Sequence, residues 1–140
     1  GTIISQALER EVVELGNLEP KRDMCYVSDG VRGHIHVALE GNPGEQYVYG
    51  YGENVSMREW ADTILAVGRE EGHWESARIV QDEDRFRPGD SDVEELLVGY
   101  EKLNEETGWG PRVDWREGIR RTIDWYADNR AAWYGRVDWR

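Results

Sequence analysis

The chain has 140 residues, room for one domain with a real core and too little for two ordinary ones. Hydrophobic residues make up 39% and charged residues 33%, and no apolar run approaches the ~20 residues that span a bilayer, so a disordered chain and a membrane helix are both excluded. Acids outnumber bases 29 to 17, for a net charge of −12, a field that repels phosphate backbones and anionic lipid and argues against nucleic-acid and membrane partners.

The excess of acid, with only two lysines (Lys21 and Lys102), predicts a solvated surface and raises the hypothesis of adaptation to a salty cytoplasm. A stability curve that fails to improve in molar KCl removes that idea. A single cysteine, Cys25, excludes a disulfide framework and fits a reducing, cytoplasmic compartment; its apolar surroundings predict an inert thiol. No basic-then-apolar opening of the secretory type is present. The Gly-Thr opening, without Met, is what a tag remnant or a chain cut from something longer would give.

In chain order, Thr2 to Arg10 carries Ile3, Ile4, Ala7 and Leu8 at the spacing of an amphipathic helix. Val12 to Leu15 reads as a strand closed by Gly16-Asn17, and Met24 to Val27 as a second strand. Ser28 or Asp29 is the expected cap of a helix running to about Leu39, with Val31, Ile35, Ala38 and Leu39 facing inward. After the turn Gly41-Asn42-Pro43-Gly44, the run Gln46 to Tyr51 is rich in strand formers. Ser56 and Glu59 have capping-box spacing and open a helix striped by Met57, Trp60, Ala61, Ile64, Leu65 and Gly68.

Arg78 to Gln81 predicts another strand, followed by an irregular charged stretch from Asp82 to Asp92. A helix then ends near Thr107, where Gly108 suits a left-handed C-cap. Asp114 and Glu117 repeat the capping spacing before a last helix with Trp115, Ile119, Ile123, Trp125 and Tyr126, ended near Gly135. The aromatic tail from Ala131 to Arg140 is expected to pack on its own domain, or to cover a surface or join a second copy. The pattern is α+β (mixed α/β), in a single domain over residues 1–140, without regular βαβ alternation.

Most catalytic constellations are missing. Gly50-Tyr51-Gly52 begins like a dinucleotide fingerprint but lacks the third glycine and leads into a strand-like Asn54-Val55. His34 and His36 lie two apart on different sides of a helix and cannot pinch one metal. Two stretches stand out instead. Arg22-Asp23 sits between a turn and a capped helix, where the guanidinium can meet a phosphate or carboxylate while Asp23 fixes it or takes a hydroxyl. The loop Asp84 to Val93 places Arg85 and Arg87 around Phe86, a composition suited to anions; local ion pairs are the alternative for both stretches.

These segments resemble a known family. Leu15 to Leu39 is similar to the "LGNLxPxRDxxYVxDxVxG" segment of extended short-chain dehydrogenase/reductases (SDRs), most of all the NAD-dependent nucleotide-sugar 4,6-dehydratases. Glu45 to Glu53 is similar to "GexYNIGSGe", Arg85 to Val93 to "RxRPxxSEV", Gly108 to Pro111 to "LGWxP", and Gly118 to Tyr126 to "GLxxTIxWY". The resemblance implies the C-terminal, substrate-binding portion of that fold, lacking most of the Rossmann domain. The partner it implies is a nucleotide-diphosphate sugar. Arg22 would meet the diphosphate or nucleotide, Arg87 the diphosphate, Asp92 the ribose hydroxyls, and Tyr26 the wall of the site.

NAD(P) is implied for the full-length family, and no cofactor for this chain alone. The residues four before Lys21 and Lys102 are Asn17 and Val98, so the family's Tyr-x-x-x-Lys pair cannot be drawn. The chain departs from the family at Val48 (commonly Asn), Tyr51 (a small residue), Glu95 (Arg) and Gly99-Tyr100 (Asp-Asn). Two expectations follow: a substrate-binding portion that works with a missing N-terminal Rossmann half, or a non-catalytic module that self-associates through the surface that half would cover.

Overall fold

A computed structural model describes residues 1–86 and 93–135. The elements run α1 (Thr2–Glu9), β1 (Val12–Leu15), β2 (Lys21–Asp23), α2 (Val27–Glu40), β3 (Asn54–Ser56), α3 (Met57–Glu70), β4 (Arg78–Gln81), a 3-10 turn (Glu83–Arg85), β5 (Glu95–Leu96), α4 (Glu101–Thr107), α5 (Trp115–Asp128) and α6 (Arg130–Trp133). The fold is mixed α/β, and both registered strand pairs, β1 with β4 and β2 with β5, are parallel. Backbone contacts divide the chain into two compact units: residues 1–20, 56–93 and 116–140, and residues 21–55 and 94–115.

The first unit is built on amphipathic periodicity. Ile3, Ile4 and Ala7 of α1 bury against Val13 of β1, and Ala61, Ile64, Leu65 and Val67 of α3 join Ile119 and Ile123 of α5 in the same apolar core. Gln6, fully buried, behaves like a strand edge: its Nε2 donates to the Glu14 carbonyl (3.1 Å) and its Oε1 accepts from the Glu14 amide (2.8 Å). The predicted capping box is present, with Ser56 Oγ accepting from the Glu59 amide (3.1 Å) and Glu59 reaching back to the Ser56 amide (3.0 Å). Trp74 packs against Gly68, where a Cβ would stand 1.9 Å from the indole Cζ2. A stripe position that elsewhere takes an aliphatic side chain is therefore glycine, because the ring occupies the space.

The second unit holds the three-stranded sheet, in the order β3-β2-β5, with α2 and α4. Gly108 ends α4 at φ +69°, as expected of a left-handed cap. Leu103 and Trp109 are fully buried, and Trp109 is flanked by Tyr49 and Tyr100 at ring-centroid distances of 5.4 and 5.6 Å.

Several expectations are corrected in this unit. Cys25 and Tyr26 do not continue a strand: β2 ends at Asp23, and α2 begins at Val27 with Tyr26 as its N-cap. Neither Ser28 nor Asp29 caps the helix. Gln46 to Tyr51 forms no strand; the ladder residues are Asn54 to Ser56. The side of α2 expected to face inward is outward, with Val31, Ile35 and Leu39 at 54, 50 and 77% exposure. The physical reason is that the buried side is held by Asp29 and Gly33, one a hydrogen-bond hub and the other a seat for the Tyr49 ring.

Candidate functional site

The Arg-Asp pair lies at the end of β2, where Arg22 registers with Leu96 of β5. Arg22 is half-buried, and its Nη1 donates to the Lys21 carbonyl (2.8 Å). Next along the chain, Asp23 points the opposite way, as alternation along a strand requires. Its carboxylate accepts from the amides of Tyr51 (2.6 Å), Gly52 (3.0 Å) and Val98 (3.4 Å). A carboxylate that receives three backbone donors is a structural tie between segments and has little capacity left for a sugar hydroxyl. Gly50 is pressed against it so closely that a Cβ would lie 2.3 Å from Oδ2.

Tyr26 follows at the N-cap of α2, half-buried, its carbonyl accepting from the Asp29 (2.9 Å) and Gly30 (3.1 Å) amides. The structure thus gathers Arg22, Asp23 and Tyr26 into one strand-to-helix junction. Arg87 and Asp92 lie outside the described residues, so their convergence on this junction belongs to the proposal below. Arg85, the other arginine of that loop, belongs to the first unit, where its Nε pairs with Asp82 (3.0 Å) and its Nη2 with Glu14 (3.1 Å).

Asp29 is the polar residue that sequence reasoning undervalued. It is 1% exposed and accepts from Arg32 Nη2 (2.8 Å), the Arg112 amide (2.9 Å) and the Val113 amide (2.9 Å), while its own carbonyl receives Trp109 Nε1 (3.1 Å). Arg32 also donates to the Gly110 carbonyl (2.6 Å). The signal was present as Asp29 and Arg32 three apart with no apolar residue between the capping candidates and Val31, but an i, i+3 ion pair does not announce burial.

A cavity of about 430 Å³ opens beside the turn that Asp23 holds, lined by Tyr51, Glu53, Tyr100, Glu101, Asn104 and Glu105. Burial, then Glu53, pushes the Tyr51 phenol above its ordinary value. Three carboxylates on the rim repel a diphosphate, so this cavity is not the anion seat. The turn at residues 50–52 is no cradle for a dinucleotide either. Its Tyr51 and Gly52 amides, the donors a pyrophosphate would need, are already taken by Asp23. The residues at this turn therefore do not fit NAD. Burial, followed by Asp29 and Asp23, raises the Cys25 thiol pKa. Among the described residues, no group of three or more His, Cys, Asp and Glu is placed to hold a metal, and no helix is long and apolar enough to cross a membrane.

With this geometry in view, the relationship to known proteins is direct. The family model for GDP-mannose 4,6 dehydratase matches residues 2–122. The chain belongs to the GDP-mannose 4,6 dehydratase family. It is 34% identical over 125 residues to a dTDP-glucose 4,6-dehydratase of Streptomyces niveus, covering 89% of this chain and 34% of that protein. It is 36% identical over 115 residues to the dTDP-glucose 4,6-dehydratase of Streptomyces antibioticus, covering 80% and 31%. The chain thus spans about a third of the length of these relatives.

Among solved structures, the dTDP-glucose 4,6-dehydratase of Streptomyces venezuelae with NAD and TYD bound superposes with a TM-score of 0.74 at 26% identity, over 94% of this chain and 39% of that one. An epimerase from Methanothermobacter thermautotrophicus shares the fold with a TM-score of 0.79 at 23% identity, over 93% and 37%. The fold is therefore that of a part of the extended SDR dehydratases and epimerases.

Proposed function

We propose that this chain is the nucleotide-sugar-binding portion of an NAD-dependent sugar 4,6-dehydratase, without catalytic activity of its own. The observation that carries this reading is the family match across residues 2–122, which includes the Arg-Asp segment of β2 and the entry to α2. Arg22 supplies a permanent cation for the diphosphate or nucleotide, and Tyr26 walls the site beside it. Arg87 and Asp92 complete it, the first on the diphosphate and the second on the ribose hydroxyls. Asp23 acts at one remove, anchoring the turn at residues 50–52. Hydride transfer is the chemistry NAD supplies, and it belongs to a region outside this third of the relatives. This chain's part is to bind and orient the sugar nucleotide.

Calorimetric titration of the 140-residue chain with dTDP-glucose, then with GDP-, UDP- and CDP-sugars, tests the reading. The expected result is binding on the order of micromolar for one of them, weakened roughly tenfold to a hundredfold by Arg22→Ala or Arg87→Ala as a charge-assisted contact is lost. Flat traces for every sugar nucleotide at millimolar ligand contradict it.

A further inference from the structure

The cavity beside the turn that Asp23 holds lies wholly within the second unit and has no part in the function proposed above. Its wall is rich in acceptors and poor in donors. The Gly52 amide is spent on Asp23 (3.0 Å), and Asn104 Nδ2 donates to the Trp109 carbonyl (2.9 Å). Glu53, Glu101 and Glu105 are exposed, and among the described residues none of the three has a cationic partner. Elsewhere the chain pairs its acids, Glu9 with Arg130, Glu14 with Arg85, Glu45 with Lys102 and Glu117 with Arg121. Tyr51 and Tyr100 supply ring surface between these carboxylates. The charged groups that act on the Tyr51 phenol, Glu53 and Asp114, are both anionic.

We infer that this cavity binds a small organic polyamine, its ammonium groups on Glu53, Glu101 and Glu105 and its methylene chain along Tyr51 and Tyr100. Charge selects a cation, because three unpaired carboxylates share one concave wall of low polarisability at the rings. Geometry selects the kind of cation. The carboxylates line one cavity without converging, since no group of three such residues among those described is placed to hold a metal ion. A divalent ion needs several oxygens within about 2.6 Å of one centre and finds none there. A flexible chain with its charges set apart meets the carboxylates one at a time. The rings suit it too, as apolar wall for methylenes and as π surface for an ammonium. The volume of about 430 Å³ falls within the roughly 300–1,000 Å³ of small-molecule sites.

The test titrates the 140-residue chain with spermidine by calorimetry at physiological ionic strength, where the diffuse attraction of a chain of net charge −12 is screened. Saturable one-to-one binding is expected, with a dissociation constant on the order of 100 μM. Glu101→Gln with Glu105→Gln should weaken it at least about tenfold. Asp62→Asn with Glu75→Gln removes the same charge from exposed positions of the first unit and should change it by less than about twofold. Propylammonium, with a single charge, should bind the native chain at least about tenfold more weakly than spermidine, a comparison that needs no variant to fold. Equal weakening by the two double variants overturns the inference, because binding is then to the overall field. Propylammonium binding as tightly as spermidine, or Mg²⁺ displacing spermidine at equal concentration, overturns the polyamine assignment. No saturation by 10 mM spermidine, a concentration roughly a hundredfold above the expected constant, overturns the site itself. None of these results bears on the sugar nucleotide, whose test is the separate titration above.

Discussion

The two compact units are held together by different physics. In the first, each helix turns its apolar stripe inward: α1, α3 and α5 meet on Val13, Trp74 and Ala77 in one dry cluster. In the second, two carboxylates do much of that work. Asp23 ties β2 to the segments around residues 51 and 98, Asp29 ties α2 to residues 112 and 113, and the rings of Tyr49 and Tyr100 flank Trp109. Helix α2 of the second unit meanwhile shows Val31, Ile35 and Leu39 to solvent.

Substitutions break or sharpen this contrast, and the largest effect is expected at the hub. Asp29→Ala leaves the half-buried Arg32 and two backbone amides without their acceptor and should cost about 3–5 kcal/mol, read as a collapse of the second unit by chemical denaturation. Gly68→Ala probes the first unit. The gain in helix propensity is outweighed by the clash with the Trp74 ring, and a net loss of about 2 kcal/mol is expected, visible as a lower melting temperature. Ser56→Ala removes the cap of α3 and should cost about 1 kcal/mol.

The smallest effect lies on the surface of α5. Hydrogen bonds from Arg120, then Arg121, hold the Glu117 carboxyl at about 2. Because that value is depressed, its stabilising contribution is full above the ordinary 4.5 and fades as pH falls toward 2. Carboxyl NMR titration of Glu117 should show that low midpoint, and Arg120→Gln together with Arg121→Gln should return it toward 4.5.

The contrast also explains what was legible in the sequence. The first unit was readable because periodicity reports burial directly: the stripes of α1 and α3 and the strands Val12–Leu15 and Arg78–Gln81 appear where spacing puts them, while in α5 Ile119 and Ile123 are buried but Trp125 faces out at 51% exposure and the helix ends at Asp128, short of Gly135. In the second unit the same reasoning found α2 and the Gly108 end of α4 but misread which side is buried and where the strands lie. The stripe on α2 was seen correctly but assigned inward, since periodicity identifies an apolar face without saying whether this stretch of chain or another covers it. Gln46 to Tyr51 carries strand formers yet stays irregular, its end fixed by Asp23 and its Tyr49 ring packed on Gly33 and Trp109. Here a tertiary contact overrides propensity. Family motifs drew attention to the Arg-Asp pair, which periodicity could not, and the structure spends Asp23 on backbone amides.

The central claim is that a sugar nucleotide sits at the junction of β2 and α2. Hydrogen-exchange mass spectrometry of the 140-residue chain with and without saturating dTDP-glucose tests it most directly. Peptides covering residues 21–30 should slow on addition of ligand, and Arg22→Ala should erase the effect. Protection that appears instead around Tyr51 and Tyr100, or at no peptide of the second unit, would contradict it.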